Sequence, residues 1–228
     1  MSSGEAAAAF AGGGGGGGED LEGIDPDDEL YSTAPRRARR MFAFEWSEGY
    51  VSPFLASPDG LGERMLAGEG VDERTVVCDL GSGEGDLLVA AAAMGAHAVG
   101  FELDEKLNEK ARLKLEGSSY EILRQDFLSP DLDLHGMLQR ILQSRPSTNR
   151  LVLVMYLLPE ALMKLAPTLE RTFPLCSAML TVRWPLPNDW QGEAVVDKTF
   201  PPSPINNGTA DGYWVYRPPS ERGAFAAA

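Results

Sequence analysis

The chain is poor in the residues that build metal centres and disulfide frameworks, with 2 cysteines and 2 histidines in 228 residues. Cys78 and Cys176 both lie in apolar runs, and neither has a second Cys or a His at ligand spacing. Both read as buried thiols, which fits a reducing compartment and indicates no metal site. His97 precedes an apolar run and His135 opens a helical one, without a partner for nucleophilic catalysis; both suit structural roles. Long apolar runs are missing too, and nothing approaches the ~20 residues of a membrane span. The N-terminus has no basic-then-apolar secretory pattern, and its acidity departs from an Arg-rich transit peptide, so a cytoplasmic location is expected.

Basic residues are scarce, 20 Lys and Arg against 34 Asp and Glu, for a formal net charge of -14. An acidic field repels phosphate backbones, so nucleic acid is not an expected partner, while basic proteins are favoured ones. The short cluster Arg36-Arg37-Ala38-Arg39-Arg40 sits at a junction. Upstream of it lies a Gly/Ala/acidic stretch with the glycine run Gly12 to Gly18, which has no side chains to bury and much backbone entropy to lose. The expected organisation is a disordered tail over 1–40, one domain over 41–220 and a frayed end over 221–228. The oligomeric state is not legible.

Within the domain, Ser57-Pro58-Asp59 is placed to start a helix reaching about Ala67. Strands and helices then alternate. Thr75 to Leu80 is a short apolar run ending at glycines, the pattern of a buried parallel strand. A helix is expected over Asp86 to Met94, a strand over Ala98 to Leu103 and a helix over Asp104 to Glu116. A third strand is expected over Tyr120 to Asp126 and a helix over Leu134 to Gln143. The central strand is expected within Arg150 to Leu158, followed by a helix from Pro159 to Phe173 and a strand over Ser177 to Trp184. Glu193 to Phe200 and Gly212 to Tyr216 complete the set as an antiparallel pair split by the loop 201–210, with Trp214 and Tyr216 in the core. This predicts an α/β, Rossmann-like sheet of seven strands, mostly parallel, with helices on both faces.

The first strand runs into Asp79-Leu80-Gly81-Ser82-Gly83-Glu84-Gly85 and then a helix. In such sheets ligands sit beyond the carboxyl ends of the strands, and glycines let a ligand approach the backbone. A dinucleotide loop usually reads G-x-G-x-x-G; here the third glycine comes one residue early. Asp79, Glu84 and Asp86 also surround the loop and would repel a pyrophosphate. S-adenosylmethionine (SAM) carries an ammonium and a sulfonium and no phosphate, so the acids suit it better. Glu102 ends the second strand, 17 residues after Gly85, where a carboxylate can accept two ribose hydroxyls. Asp126 ends the third, where it can accept from an adenine amine while Phe127 packs on the ring. Gly81, Ser82, Gly83, Gly85, Leu103 and, from the segment before the first strand, Tyr50 complete the expected cofactor set.

Val77 to Gly85 resembles the first motif of the class I SAM-dependent methyltransferases, and Gly100-Phe101-Glu102-Leu103 resembles their second. Tyr156-Leu157-Leu158-Pro159 and Arg183-Trp184-Pro185-Leu186-Pro187-Asn188-Asp189-Trp190 are similar to loops of the protein-lysine methyltransferases that modify the ATP synthase c subunit and the adenine nucleotide translocase. Tyr213-Trp214-Val215-Tyr216 and Tyr50-Val51-Ser52-Pro53 are similar to further segments of that family. The resemblance implies a lysine-presenting protein substrate, SAM as cofactor and, if the family's habit holds, a mitochondrial location. The chain departs from the family in lacking its N-terminal apolar segment. It also carries Phe101-Glu102-Leu103-Asp104-Glu105 where an Asn-Pro-Trp continuation is common.

On this reading Tyr156, Leu157, Pro159, Trp184 and Trp190 line the acceptor channel, with Tyr50 as a lid. An apolar channel lowers the pKa of an incoming lysine, so no dedicated base is required. Alternatives are a methyltransferase for a small molecule or another side chain, and a non-catalytic binding protein that keeps the fold. A nucleotide-dependent oxidoreductase is disfavoured by the glycine spacing and the acids.

Overall fold

A computed structural model of the chain describes residues 57–187, 190–198 and 212–219. The expected tail, Tyr50, residues 188 and 189, the loop 201–210 and the expected frayed end lie outside those residues. Among the described residues seven strands form one sheet: β1 (Thr75–Leu80), β2 (His97–Phe101), β3 (Tyr120–Leu123), β4 (Arg150–Met155), β5 (Ala178–Val182), β6 (Glu193–Val196) and β7 (Gly212–Tyr216). Their order is β3-β2-β1-β4-β5-β7-β6. The first five are parallel, and β7 runs antiparallel to both β5 and β6.

The apolar run of β1 has a plain cause. All six of its residues are buried, because the strand has neighbours on both edges and helices on both faces. One core layer places Val77, Ala98, Val152, Val154 and Leu180 under α1 (Leu61–Gly68) and α2 (Asp86–Ala93). The opposite layer places Val76, Cys78, Phe101, Leu153 and Met155 under α4 (Leu134–Ser144) and α5 (Pro159–Thr172). Between them in sequence lies α3 (Glu105–Lys114), whose Ala111 is buried and whose following Leu115 joins the first layer. The Asp104 carboxylate caps α3 by accepting from Lys106 N at 2.7 Å and Leu107 N at 3.3 Å.

The expected elements are present, with shifted ends. The first helix begins at Leu61, since the Leu61 N–H closes a turn onto the Pro58 carbonyl and Gly60 adopts a left-handed φ of 69°. The strand β3 stops at Leu123, three residues short of Asp126. Beyond it the backbone turns inward, with Gln125 N donating to the Leu123 carbonyl. Cys78 and Cys176 are buried free thiols, both pushed up by burial. Among the described residues no helix is long and apolar enough to cross a membrane, and no acid, His or Cys cluster could hold a metal ion.

Candidate functional site

Crossovers reverse direction at β1, so the sheet has its switch point between the carboxyl ends of β1 and β4. Gly81 leaves β1 there, and a Cβ at Gly81 would lie 3.0 Å from Leu157, the second residue after β4. The loop is wound tightly. Gly81, Gly83 and Gly85 all have positive φ, at 88°, 52° and 79°. Glycine is required most plainly at Gly85, where a Cβ would sit 2.8 Å from Ala111 Cβ. The close packing of the loop on α3 therefore depends on the missing side chain.

The carboxylate of Glu102 closes the loop. Its Oε2 accepts from Gly83 N at 3.0 Å. Its Oε1 accepts from Leu103 N at 2.7 Å and Asp104 N at 2.9 Å. Asn108, fully buried on α3, steadies the same residue by donating to the Glu102 carbonyl at 3.0 Å. A carboxylate offers about four acceptor positions. Three are used by the backbone, so a grip on two ligand hydroxyls, as expected from the sequence, requires one of these three hydrogen bonds to open.

Asp79 is 6% exposed, and Glu102 lies beside it. Burial, and secondly the Glu102 charge, push the Asp79 carboxyl up from 3.8 to about 7. The two acids share the sheet face of Val77 and Ala98, so a cation arriving at this strand end relieves their mutual repulsion. The other loop acids behave differently. Glu84 pairs with Lys110 at 2.6 Å and Lys114 at 3.3 Å, and Asp86 pairs with Lys114 at 2.6 Å. The expectation that Glu84 and Asp86 add to an acidic ligand field is corrected. Their charges are answered by α3, and the acidity offered to a ligand comes from Asp79 and Glu102.

Ser82 also departs from expectation. Its N–H and that of Gly81 both donate to the Phe101 carbonyl, at 3.0 and 2.8 Å. Its Oγ is buried against Gly100, where a Cβ would lie 2.7 Å from it. Ser82 thus ties the loop to β2 through its N–H, while its buried hydroxyl has no hydrogen-bond partner among the described residues. Asp126 is half-buried, and its Oδ1 accepts from Leu128 N at 2.8 Å, capping a turn after β3. Half-buried Phe127 packs on the second core layer, and Leu103 is half-buried beside Glu102. The three strand ends are adjacent, as the sheet order dictates.

On the other side of the switch point, Tyr156 follows β4 and Trp184 follows β5. Their ring centroids are 6.1 Å apart with planes tilted by 40°. Burial raises the Tyr156 phenol, and the nearby Arg183 charge opposes that shift. Pro159 is exposed at the start of α5, while Leu157 is buried over Gly81. Trp190 does not join this group. It packs on Phe173 at 5.0 Å and on Tyr216 at 6.1 Å, near the amino end of β5. The proline-rich segment after Trp184 crosses back along the sheet, held where Leu186 N donates to the Tyr216 hydroxyl at 2.7 Å. Trp190 is therefore half-buried against the second core layer at the opposite end of the strands. Tyr216 is buried and Trp214 half-buried against the same core, as expected.

Both histidines are structural. His97 is buried between Ser119 Oγ at 2.8 Å and Glu121 Oε1 at 3.1 Å, and burial lowers its pKa. His135 lies 2.9 Å from the Arg171 carbonyl. One residue that matters escaped the sequence reading. Asn108, with no neighbour in sequence to betray it, reaches back 6 residues to Glu102.

No protein-family profile and no curated protein matches the chain. Solved structures do. An RNA methyltransferase from Salinibacter ruber, crystallised with S-adenosyl-L-homocysteine, aligns with 27% identity and a TM-score of 0.51, over 72% of this chain and 92% of that one. An rRNA methylase from Streptococcus thermophilus aligns at 14% identity and a TM-score of 0.45, over 72% and 98%. A ribosomal protein L11 methylase from Lactobacillus delbrueckii aligns at 17% and 0.43, over 57% and 62%. The seven-stranded sheet with its antiparallel end pair is the Rossmann-like fold of SAM-dependent methyltransferases.

Proposed function

We propose that the chain is a SAM-dependent methyltransferase whose acceptor is a lysine side chain of a protein. The observation that carries the cofactor is the meeting of Asp79 and Glu102 over a glycine loop packed on Ala111. The donor set fits. Two neighbouring carboxylates suit a ligand with an ammonium group and vicinal hydroxyls, and leave no place for a pyrophosphate. The Salinibacter ruber enzyme, which holds S-adenosyl-L-homocysteine in a similar fold, supports the same choice.

When bound, SAM supplies an activated methyl group that a nucleophile takes by in-line displacement. The protein's share is position and solvent. Asp79 balances positive charge at the end of β1, and Glu102 turns an oxygen to the hydroxyl side at the expense of one of its backbone hydrogen bonds. Asp126 and Phe127 offer a hydrogen-bond acceptor and an apolar surface one strand further on. Across the switch point Tyr156 and Trp184 form an aromatic wall that keeps water from an entering amine. A lysine there loses hydration, its neutral form gains population, and no side chain need take its proton before attack. Pro159 borders the entrance. The acidic chain, at -14, favours an acceptor on a basic protein.

One observation favours a second reading. The Salinibacter ruber enzyme is an RNA methyltransferase, and this chain spans 92% of it, so RNA is the competing acceptor. Incubating cell extract with methyl-labelled SAM and the full chain separates the two. Label that survives nuclease and maps to lysine after digestion is the expected result. Label lost to nuclease replaces it with the RNA reading. Label in neither fraction, from protein that binds S-adenosylhomocysteine, overturns both macromolecular acceptors.

A further inference from the structure

We infer that Arg183 is a positioning residue of the acceptor wall: its left-handed backbone turn, bolted to β7, and its guanidinium together hold Trp184 against Tyr156. The inference rests on the methyltransferase reading, under which these two aromatic rings flank the acceptor.

Among the described residues Arg183 is the one non-glycine position with positive φ, at 69°. It follows the last residue of β5, and Trp184 N donates back to the Val182 carbonyl at 2.9 Å. That closes a γ-turn of the rare positive-φ kind, which is strained for an L side chain. The turn is fixed from a second direction. Arg183 N donates to the Gly212 carbonyl at 2.8 Å, at the first residue of β7. Gly212 is itself pinned, since a Cβ there would collide with the Val195 carbonyl of β6. The chain is thus reversed within three residues at the carboxyl end of β5, and the reversal aims the next residue, Trp184, at the end of β4.

Glycine would adopt this turn without steric cost, yet the position carries arginine. The guanidinium carbon lies 5.9 Å from the centroid of the Trp184 ring, within cation–π range. The same charge is close enough to Tyr156 to oppose the rise of its phenol pKa. Arg183, Trp184 and Tyr156 therefore form one contiguous group at the strand ends. Strain kept at such a place has a purpose that a relaxed residue would not serve. The backbone sets the direction of Trp184, and the guanidinium keeps its ring from swinging away.

The test compares Arg183→Gly and Arg183→Lys with the unaltered chain, using Trp184→Phe to isolate the Trp184 emission from that of the other 3 of 4 tryptophans. In Arg183→Gly the relaxed turn and the lost cation–π contact oppose one another, so the melting temperature is expected to stay within about 4 °C of the native value. Its Trp184 emission is expected to move to longer wavelength and to be quenched more readily by acrylamide. With a methyl acceptor in hand, the acceptor KM is expected to rise about tenfold while S-adenosylhomocysteine affinity stays within twofold. Arg183→Lys keeps a cation and the strain, and is expected to retain the native melting temperature and most of the emission. Unchanged Trp184 emission in Arg183→Gly overturns the inference. Failure of the unaltered chain to bind S-adenosylhomocysteine overturns the methyltransferase reading instead, and the emission still decides whether Arg183 holds Trp184.

Discussion

The Glu102 carboxylate at the end of β2 accepts the Gly83 N–H at 3.0 Å, so an acid from one strand closes the loop that leaves its neighbour. Its other oxygen is occupied by Leu103 N and Asp104 N. Removing the carboxylate leaves three backbone donors without their acceptor, and charged acceptors make the stronger hydrogen bonds. Glu102→Ala is expected to weaken S-adenosylhomocysteine binding by at least tenfold in calorimetry. Glu102→Gln keeps two oxygen-side contacts at most and is expected to fall between. An affinity within twofold of the unaltered chain would remove Glu102 from the cofactor site.

Glu84→Gln tests the opposite case. Lys110 and Lys114 already answer this charge, at 2.6 and 3.3 Å on the surface. Exposed pairs of this kind contribute little and are screened by salt. Calorimetry is expected to show cofactor affinity within about threefold of the unaltered chain at physiological salt. A tenfold loss would restore Glu84 to the field that a ligand feels.

Gly85→Ala should damage the loop through shape alone. The added methyl meets Ala111 Cβ at 2.8 Å, and φ stays at 79°. Left-handed backbone costs an alanine roughly 1–2 kcal/mol, and overpacking adds about 1–3 kcal/mol. Urea denaturation is expected to show a loss of about 2–4 kcal/mol. Pairing it with Ala111→Gly should give less than the sum of the single losses, by about 1 kcal/mol, since the two share one contact. Strict additivity would mean that the loop does not lean on α3.

How much of this was legible in the sequence follows from which interactions are local. The run Thr75 to Leu80 is apolar because every residue is buried, so its pattern and its place in the sheet coincide. Glu102 is readable because it is the first charged residue after the buried strand β2. The charge on Glu84 was misjudged because its partners lie 26 and 30 residues away on α3. Trp190 was misplaced because proximity in sequence to Trp184 says nothing about which end of the strands its ring packs against. The short β3 escaped because Asp126 satisfies Leu128 N locally and Arg124 reaches the Leu103 carbonyl, which diverts the chain without any change in composition. The acceptor is the least legible part, since two aromatic rings at strand ends specify a dry wall and not what enters it.

Asp79 makes pH a probe of the site. Its carboxyl rises from 3.8 to about 7 on folding, through burial and the neighbouring Glu102. Between those values the folded chain holds a proton that the unfolded chain has released. Stability from this group is therefore present below about pH 4 and declines as pH rises through about 7. Asp79→Asn is expected to remove that decline and to stabilise the fold at pH 8, on the order of 2 kcal/mol. Ligand binding should follow the opposite course. A cationic amine prefers the ionised acid, so binding draws the proton off and tightens as pH rises. With a group titrating near 7, S-adenosylhomocysteine affinity is expected to increase about tenfold from pH 6 to pH 8. Calorimetry in buffers of different ionisation enthalpy should register the released proton near pH 7. Asp79→Asn should bind weakly at both pH values and release none. Equal affinity at both pH values in the unaltered chain would mean that the ligand's cation does not face Asp79, and the assignment of the strand end would have to be redrawn around Glu102 alone.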